Sequence, residues 1–157
     1  MNQFCLTVRC FSEYETIELA KKVSFLLKSG DIVALDGEIG SGKTFFTRSI
    51  IQHSIHKAQE VSVPSPTFTM IQSYSGLVPF GNLIHADLYR LSNPKELEEL
   101  GLLEGDYKGV VMIEWSKNGI GYLPHFNLII SIEYGEKERE RIFHIEGSKS
   151  RIEKISF

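Results

Sequence analysis

Gly37-Glu38-Ile39-Gly40-Ser41-Gly42-Lys43-Thr44 stands between the apolar run Ile32-Val33-Ala34-Leu35 and the segment Phe45-Phe46-Thr47-Arg48-Ser49-Ile50-Ile51. These three pieces decide the fold. The octapeptide is an intact phosphate-binding loop: its glycines let successive backbone N–H groups turn inward around an anion, and the following helix points its positive end at the same place. Lys43 adds a mobile ammonium for outer phosphates and Thr44 a hydroxyl for Mg²⁺. The preceding run has the unbroken apolarity of a strand covered on both faces, and the following segment continues as a helix. Strand, loop and helix therefore stand in the order that a nucleoside triphosphate site requires. The predicted class is α/β: a P-loop NTPase-like sheet covered by helices.

Outward from the loop, the chain divides into alternating strands and helices. Phe4, Leu6, Val8 and Cys10 alternate with polar neighbours as a first strand. Ser12 and Glu15 form a capping-box pattern, and Ile17, Ala20, Val23, Ser24 and Leu27 mark one face of a helix ending near Gly30. Beyond the P-loop helix, Pro64 and Pro66 keep Val61 to Pro66 extended. Phe68 to Tyr74 is expected as a strand with its turn at Gly76 to Asn82, followed by a strand over Leu83 to Tyr89. Asn93 and Pro94 supply a cap and first position for a helix over Lys95 to Leu100. Val110 to Ile113 is the next buried strand. Asn127 to Tyr134 and Arg141 to Glu146 form an antiparallel hairpin around Gly135-Glu136-Lys137-Glu138, so the sheet is mixed.

At 157 residues one domain is expected, spanning 1–157. A net charge of −3 with no sustained basic stripe predicts no large nucleic-acid footprint from charge alone and leaves room for a local patch. No run is long enough to span a bilayer, no leader pattern opens the chain, and the expected compartment is the cytoplasm. Cys5 and Cys10 are read as free thiols. His53 and His56 have no third ligand in a metal pattern.

Turnover of a bound triphosphate needs a carboxylate near the magnesium and a group that orients the nucleophile. Glu114 closes an apolar strand, where the carboxyl end of a parallel sheet meets the ligand crevice, and Asp87 ends a similar run. Ser65-Pro66-Thr67-Phe68 is either a switch segment that closes over a γ-phosphate, with Thr67 as its polar contact, or a rigid turn. Trp115 either packs under the sheet edge or lies over the pocket. Arg90 either pairs with Glu96 or Glu98 or faces a partner.

Ser12 to Ala20, the loop Gly37 to Thr44, Ser65-Pro66-Thr67-Phe68, His85-Ala86-Asp87-Leu88-Tyr89-Arg90-Leu91 and Ile113-Glu114-Trp115 resemble, in order and spacing, the TsaE (YjeE) family of bacterial ATPases. The resemblance implies ATP hydrolysis with Mg²⁺ in making the threonylcarbamoyl modification of adenosine 37 in tRNAs that read codons beginning with A. It implies docking on the TsaD and TsaB proteins, with tRNA met only through that complex and TsaD transferring the group. By the same similarity Lys43, Thr67, Asp87 and Glu114 are the catalytic set, and Thr44, Glu114 and Asp87 the metal contacts. Gly37, Glu38, Ile39, Gly40, Ser41, Gly42, Lys43, Thr44 and Phe45 bind ATP, with Phe11 near the adenine and Arg139 reaching the nucleotide. Lys117 stands where relatives usually carry an acid. Two other classes share the loop: a small-molecule kinase, against which no arginine lies between Glu114 and Tyr134 to serve a lid, and a nucleotide-sensing interaction module with little turnover.

Overall fold

The computed structural model describes residues 3–55, 61–102 and 107–155; His56 lies outside them. One seven-stranded sheet runs through the molecule in the order β1-β7-β6-β2-β5-β4-β3. Its strands are β1 (Gln3–Cys10), β2 (Ile32–Gly37), β3 (Ile71–Leu77), β4 (Gly81–Asp87), β5 (Val110–Glu114), β6 (Leu128–Tyr134) and β7 (Arg141–Ser148). The middle four, β6, β2, β5 and β4, are parallel, and antiparallel strands close both edges. The expected C-terminal hairpin is β6–β7, and β1 pairs along the far side of β7.

Central β2 has the continuous burial that its apolar run requires. Two long helices, α1 (Glu13–Ser24) and α2 (Lys43–Ser54), share a core with one sheet face through Leu19, Val23, Phe46 and Ile50. The opposite face is covered by the single turn α3 (Glu96–Glu99), through Leu97, and by loop residues such as Leu88 and Leu102. A last turn, α4 (Lys149–Ile152), lies against β7 and β1.

Several boundaries differ from the sequence reading for local reasons. The buried stripe of α1 is Thr16, Leu19, Ala20 and Val23, while Ile17 is 42% exposed, one position out of register with the core. Ser12 caps the helix, accepting from the Glu15 N–H at 3.2 Å, and the Glu15 carboxylate reaches back to the Phe11 N–H at 2.8 Å. Phe68 to Met70 form a turn instead of opening β3. The Met70 N–H donates to the Pro66 carbonyl at 2.6 Å, and Met70 takes a φ of +63°, which ends the extended run. The expected Lys95–Leu100 helix shrinks to one turn, where the Asn93 side chain accepts from the Lys95 N–H at 3.0 Å. Cys5 is exposed and Cys10 buried, both as free thiols. Among the described residues no helix is long and apolar enough to cross a membrane.

Candidate phosphate and metal site

The loop between β2 and α2 has its shape because two glycines occupy the left-handed region. Gly40 has φ +75° and Gly42, the N-cap of α2, φ +108°. An L side chain at either position is strained, so the loop depends on those glycines. The first turn of α2 then closes with Phe46 N–H on the Gly42 carbonyl at 2.9 Å, and Lys43, Thr44 and Phe45, whose N–H groups have no partner within a helix at this position, line the cleft.

Lys43 folds back along this loop. Its Nζ donates to the carbonyls of Gly37 at 2.7 Å and Glu38 at 2.9 Å, and lies 4.1 Å from the centre of the Trp115 ring. Burial pushes the Lys43 ammonium below its ordinary value, while the charges of Glu114, Asp87 and Asp36 pull it back up. Trp115 therefore lies over the pocket, and Tyr89 packs against it with ring centres 5.0 Å apart.

The acids arrive by strand register. Asp87 is the parallel partner of Glu114 across β4 and β5, and Glu114 that of Leu35 in β2, so the two acids stand side by side at two strand ends, level with Leu35, on the face that carries α2. Both carboxylates are 2% exposed. The Thr44 hydroxyl donates to Glu114 Oε1 at 2.8 Å. A hydroxyl whose proton is committed to a carboxylate presents its lone pairs elsewhere, as a cation ligand must. Asp87 Oδ2 accepts from the Thr67 hydroxyl at 2.7 Å, and Oδ1 from the Tyr89 N–H at 2.9 Å. Thr67 is also 2.8 Å from the Ser65 hydroxyl. Ser65-Pro66-Thr67-Phe68 is thus tied to the acid row through one side chain, and the Arg48 Nε holds the chain just before it at the Val63 carbonyl, 3.0 Å away.

These groups line a cleft of about 370 Å³ that includes Lys43, Thr44, Thr67, Asp87, Glu114 and Trp115. Its donor set fits Mg²⁺: hard oxygens from one hydroxyl and two carboxylates, with the remaining positions left to phosphate and water. Ser41 Oγ, buried in the loop, has no partner among the described residues. A second cleft, about 670 Å³, opens on the other side of the loop beside Gly40, Ser41, Gly42 and Phe45, and is bounded by Arg139 and Arg141. Phe11, exposed and with the Lys137 ammonium 5.3 Å from its ring centre, precedes the Ser12 that lines this cleft. Glu38 and Ile39 are exposed at the loop crest. Lys117 lies along a groove with Asp36, Glu38 and Glu133. Arg90 sits over the Phe68 ring at 5.3 Å, while Glu96 accepts from Ser92.

Three contributors escaped the sequence reading. Arg141 donates from Nε to the Ser41 carbonyl at 3.2 Å and stacks on Tyr134, whose hydroxyl donates to the Ile39 carbonyl at 2.7 Å. The β6–β7 hairpin thereby grips the loop backbone at two points. The third is His85, fully buried with Nε2 2.6 Å from Glu114 Oε1. Its position two residues before Asp87 puts it on the same strand face, a signal available in the sequence.

A parallel-centred sheet, a glycine loop running into a helix, and paired acids at the neighbouring strand ends define a P-loop α/β protein. The family model described as threonylcarbamoyl adenosine biosynthesis protein TsaE matches residues 10–143. The chain belongs to the TsaE family. It is similar to the tRNA threonylcarbamoyladenosine biosynthesis protein TsaE of Rickettsia typhi, 43% identical over 106 residues covering 68% of this chain and 71% of that protein. The protein of that description from Bacillus subtilis is 37% identical over 145 residues, 90% of this chain and 86% of that one. Among solved structures, Bacillus subtilis YdiB superposes with a TM-score of 0.74 at 27% identity, covering 99% of this chain and 93% of the other.

Proposed function

We propose that this chain binds ATP with Mg²⁺ in the cleft beside Lys43 and hydrolyses it in support of threonylcarbamoylation of adenosine 37 in tRNAs that read codons beginning with A. It acts docked on TsaD and TsaB, does not itself transfer the threonylcarbamoyl group, and works in the cytoplasm. The observation that carries this reading is the bond from Thr44 to Glu114, because it joins the phosphate loop to the acid row with the hydroxyl lone pairs free for a cation.

The roles follow from chemistry. Loop amides and Lys43 neutralise the phosphates, and Arg139 borders the space beside the loop where the rest of a nucleotide extends. Bound Mg²⁺ supplies positive charge across the outer phosphates. Thr44, Glu114 and Asp87 hold the ion and its water shell, and Asp87 also fixes Thr67 at the opposite wall. Thr67 is the contact through which Ser65 to Phe68 senses the γ-phosphate and relaxes once it is gone.

The test is phosphate release from ATP by the purified chain mixed with TsaD and TsaB, together with tRNA modification in cells carrying Lys43→Ala. The reading expects release that depends on all three proteins and modification lost with Lys43→Ala. Absence of release combined with intact modification would overturn it. Glu114→Gln tells turnover from mere binding: ATP is retained, cleavage falls by about 100-fold or more, and repeated rounds of modification stop.

A further inference from the structure

We propose that His85 is a positioning residue for the metal-side carboxylate, holding Glu114 by a hydrogen bond from Nε2 so that its second oxygen is left for the ion and its water. The inference rests on the cleft being a magnesium–nucleotide site. His85 lies on β4 in the row below Asp87, with Met112 as its partner on β5, and reaches diagonally to Glu114 Oε1 at 2.6 Å. Thr44 donates to that same oxygen at 2.8 Å. The terminal torsion of a glutamate is broad and soft, so one donor leaves the carboxylate plane free to turn. Two donors converging on Oε1 from different elements, α2 and β4, fix that plane. Oε2 is left without a hydrogen-bond partner among the described residues.

The burial of His85 argues that the bond is the reason for the residue. The ring is 0% exposed, and its Nδ1 has no partner among the described residues. An apolar side chain of similar size would fill the space without burying a bare ring nitrogen, as Met112 does in the adjacent strand. With Nε2 carrying the hydrogen toward the carboxylate, Nδ1 is left as an acceptor, which tolerates lack of a partner better than a donor does. Partners of metal-site carboxylates set their orientation, and their loss typically lowers metal affinity or activity about 10- to 100-fold.

The experiment uses the full chain and its single tryptophan. Trp115 lies in the cleft beside Lys43, so its fluorescence follows nucleotide binding. ATP is titrated without metal, and Mg²⁺ is then titrated at fixed ATP, for wild type, His85→Leu, His85→Asn and His85→Gln. The proposal expects His85→Leu and His85→Asn to need about tenfold more Mg²⁺ at the midpoint, with metal-free ATP affinity little changed. His85→Gln, whose amide N–H extends to the place of Nε2, restores the wild-type midpoint. Should His85→Leu fail to fold, the asparagine and glutamine pair carries the comparison. Unchanged Mg²⁺ midpoints in the asparagine variant, or equal losses in the asparagine and glutamine variants, would overturn it while metal-free binding upholds the nucleotide site. Failure of wild type to bind ATP at all would overturn the nucleotide reading, and this inference with it.

Discussion

Lys43 shows how function sets the terms at a single residue. It is 5% exposed, and burial lowers its pKa from the ordinary lysine range against the opposing pull of three carboxylates. A charge disfavoured in this way costs stability wherever the folded protein keeps it protonated. That cost is relieved only as pH rises through the lowered value toward the ordinary one. Replacing it by an apolar chain of similar length therefore separates stability from binding. Lys43→Met should shift the melting temperature little by calorimetry, relief of the buried ammonium offsetting the loss of its pull on Glu114, Asp87 and Asp36, while ATP affinity falls about 10- to 100-fold, the loss of charge-assisted bonds to phosphate. A fall in melting temperature with binding intact would show that Lys43 is a structural residue. Residues of the loop were legible from spacing alone because glycine, lysine and hydroxyl have roles that no other side chains fill. Arg141 was not, since nothing local tells a hairpin arginine what it will touch 100 residues away, and the alternation that puts His85 on the face of Asp87 does not say that it reaches Glu114, 29 residues on.

At the scale of elements, the β6–β7 hairpin supports the site through its turn. Glu140, 2% exposed, accepts the N–H groups of Glu136 and Lys137 on Oε2 and Arg9 on Oε1. The backbone N–H of Lys137, with the Arg9 side chain and the Glu136 N–H, holds its carboxyl below the usual range against the opposing effect of burial. A carboxyl lowered on folding adds stability that is whole above its unfolded value; it fades as pH falls through the folded value. Glu140→Gln should lose stability relative to wild type at neutral pH, and the difference should shrink below about pH 4, where the wild-type carboxylate also protonates. Melting temperatures from pH 3 to 8 measure this, and a gap that is constant across the range would contradict it. The hairpin itself was readable from alternation and turn residues. The start of β3 was not, because the Pro66 carbonyl captures Met70 and the tie from Thr67 to Asp87 is a tertiary contact that overrides the strand pattern of Phe68 to Tyr74. The acid row was half readable: strand ends identified Glu114 and Asp87, but only parallel register makes them neighbours.

Across the whole molecule, the C-terminal turn is joined to the centre of the sheet by one ion pair. Arg151 in α4 grips Asp31 bidentately at 2.6 and 2.8 Å, and Asp31 also accepts the Lys28 N–H just before β2. Asp31 is 3% exposed, so removing the arginine strands a buried carboxylate. Arg151→Ala should cost about 3 kcal/mol in chemical denaturation, although it lies beyond the residues that match the family model. A loss under about 0.5 kcal/mol would reduce the pair to a surface contact. Because one sheet connects β1, β3 and the strands between them, we propose that the chain unfolds as one domain. Calorimetry should then give a single transition in which the enthalpy from its shape equals the heat absorbed. Two resolved transitions would contradict it.

In the proposed function, loop amides, Lys43 and the Thr44–Glu114 pair together form a triphosphate and magnesium site. Isothermal titration calorimetry of the folded chain with ATP and Mg²⁺ tests it directly. Saturable heat with one nucleotide per chain, largely abolished in Lys43→Met, is expected; no saturable heat from a chain whose circular dichroism shows it folded would rule the site out.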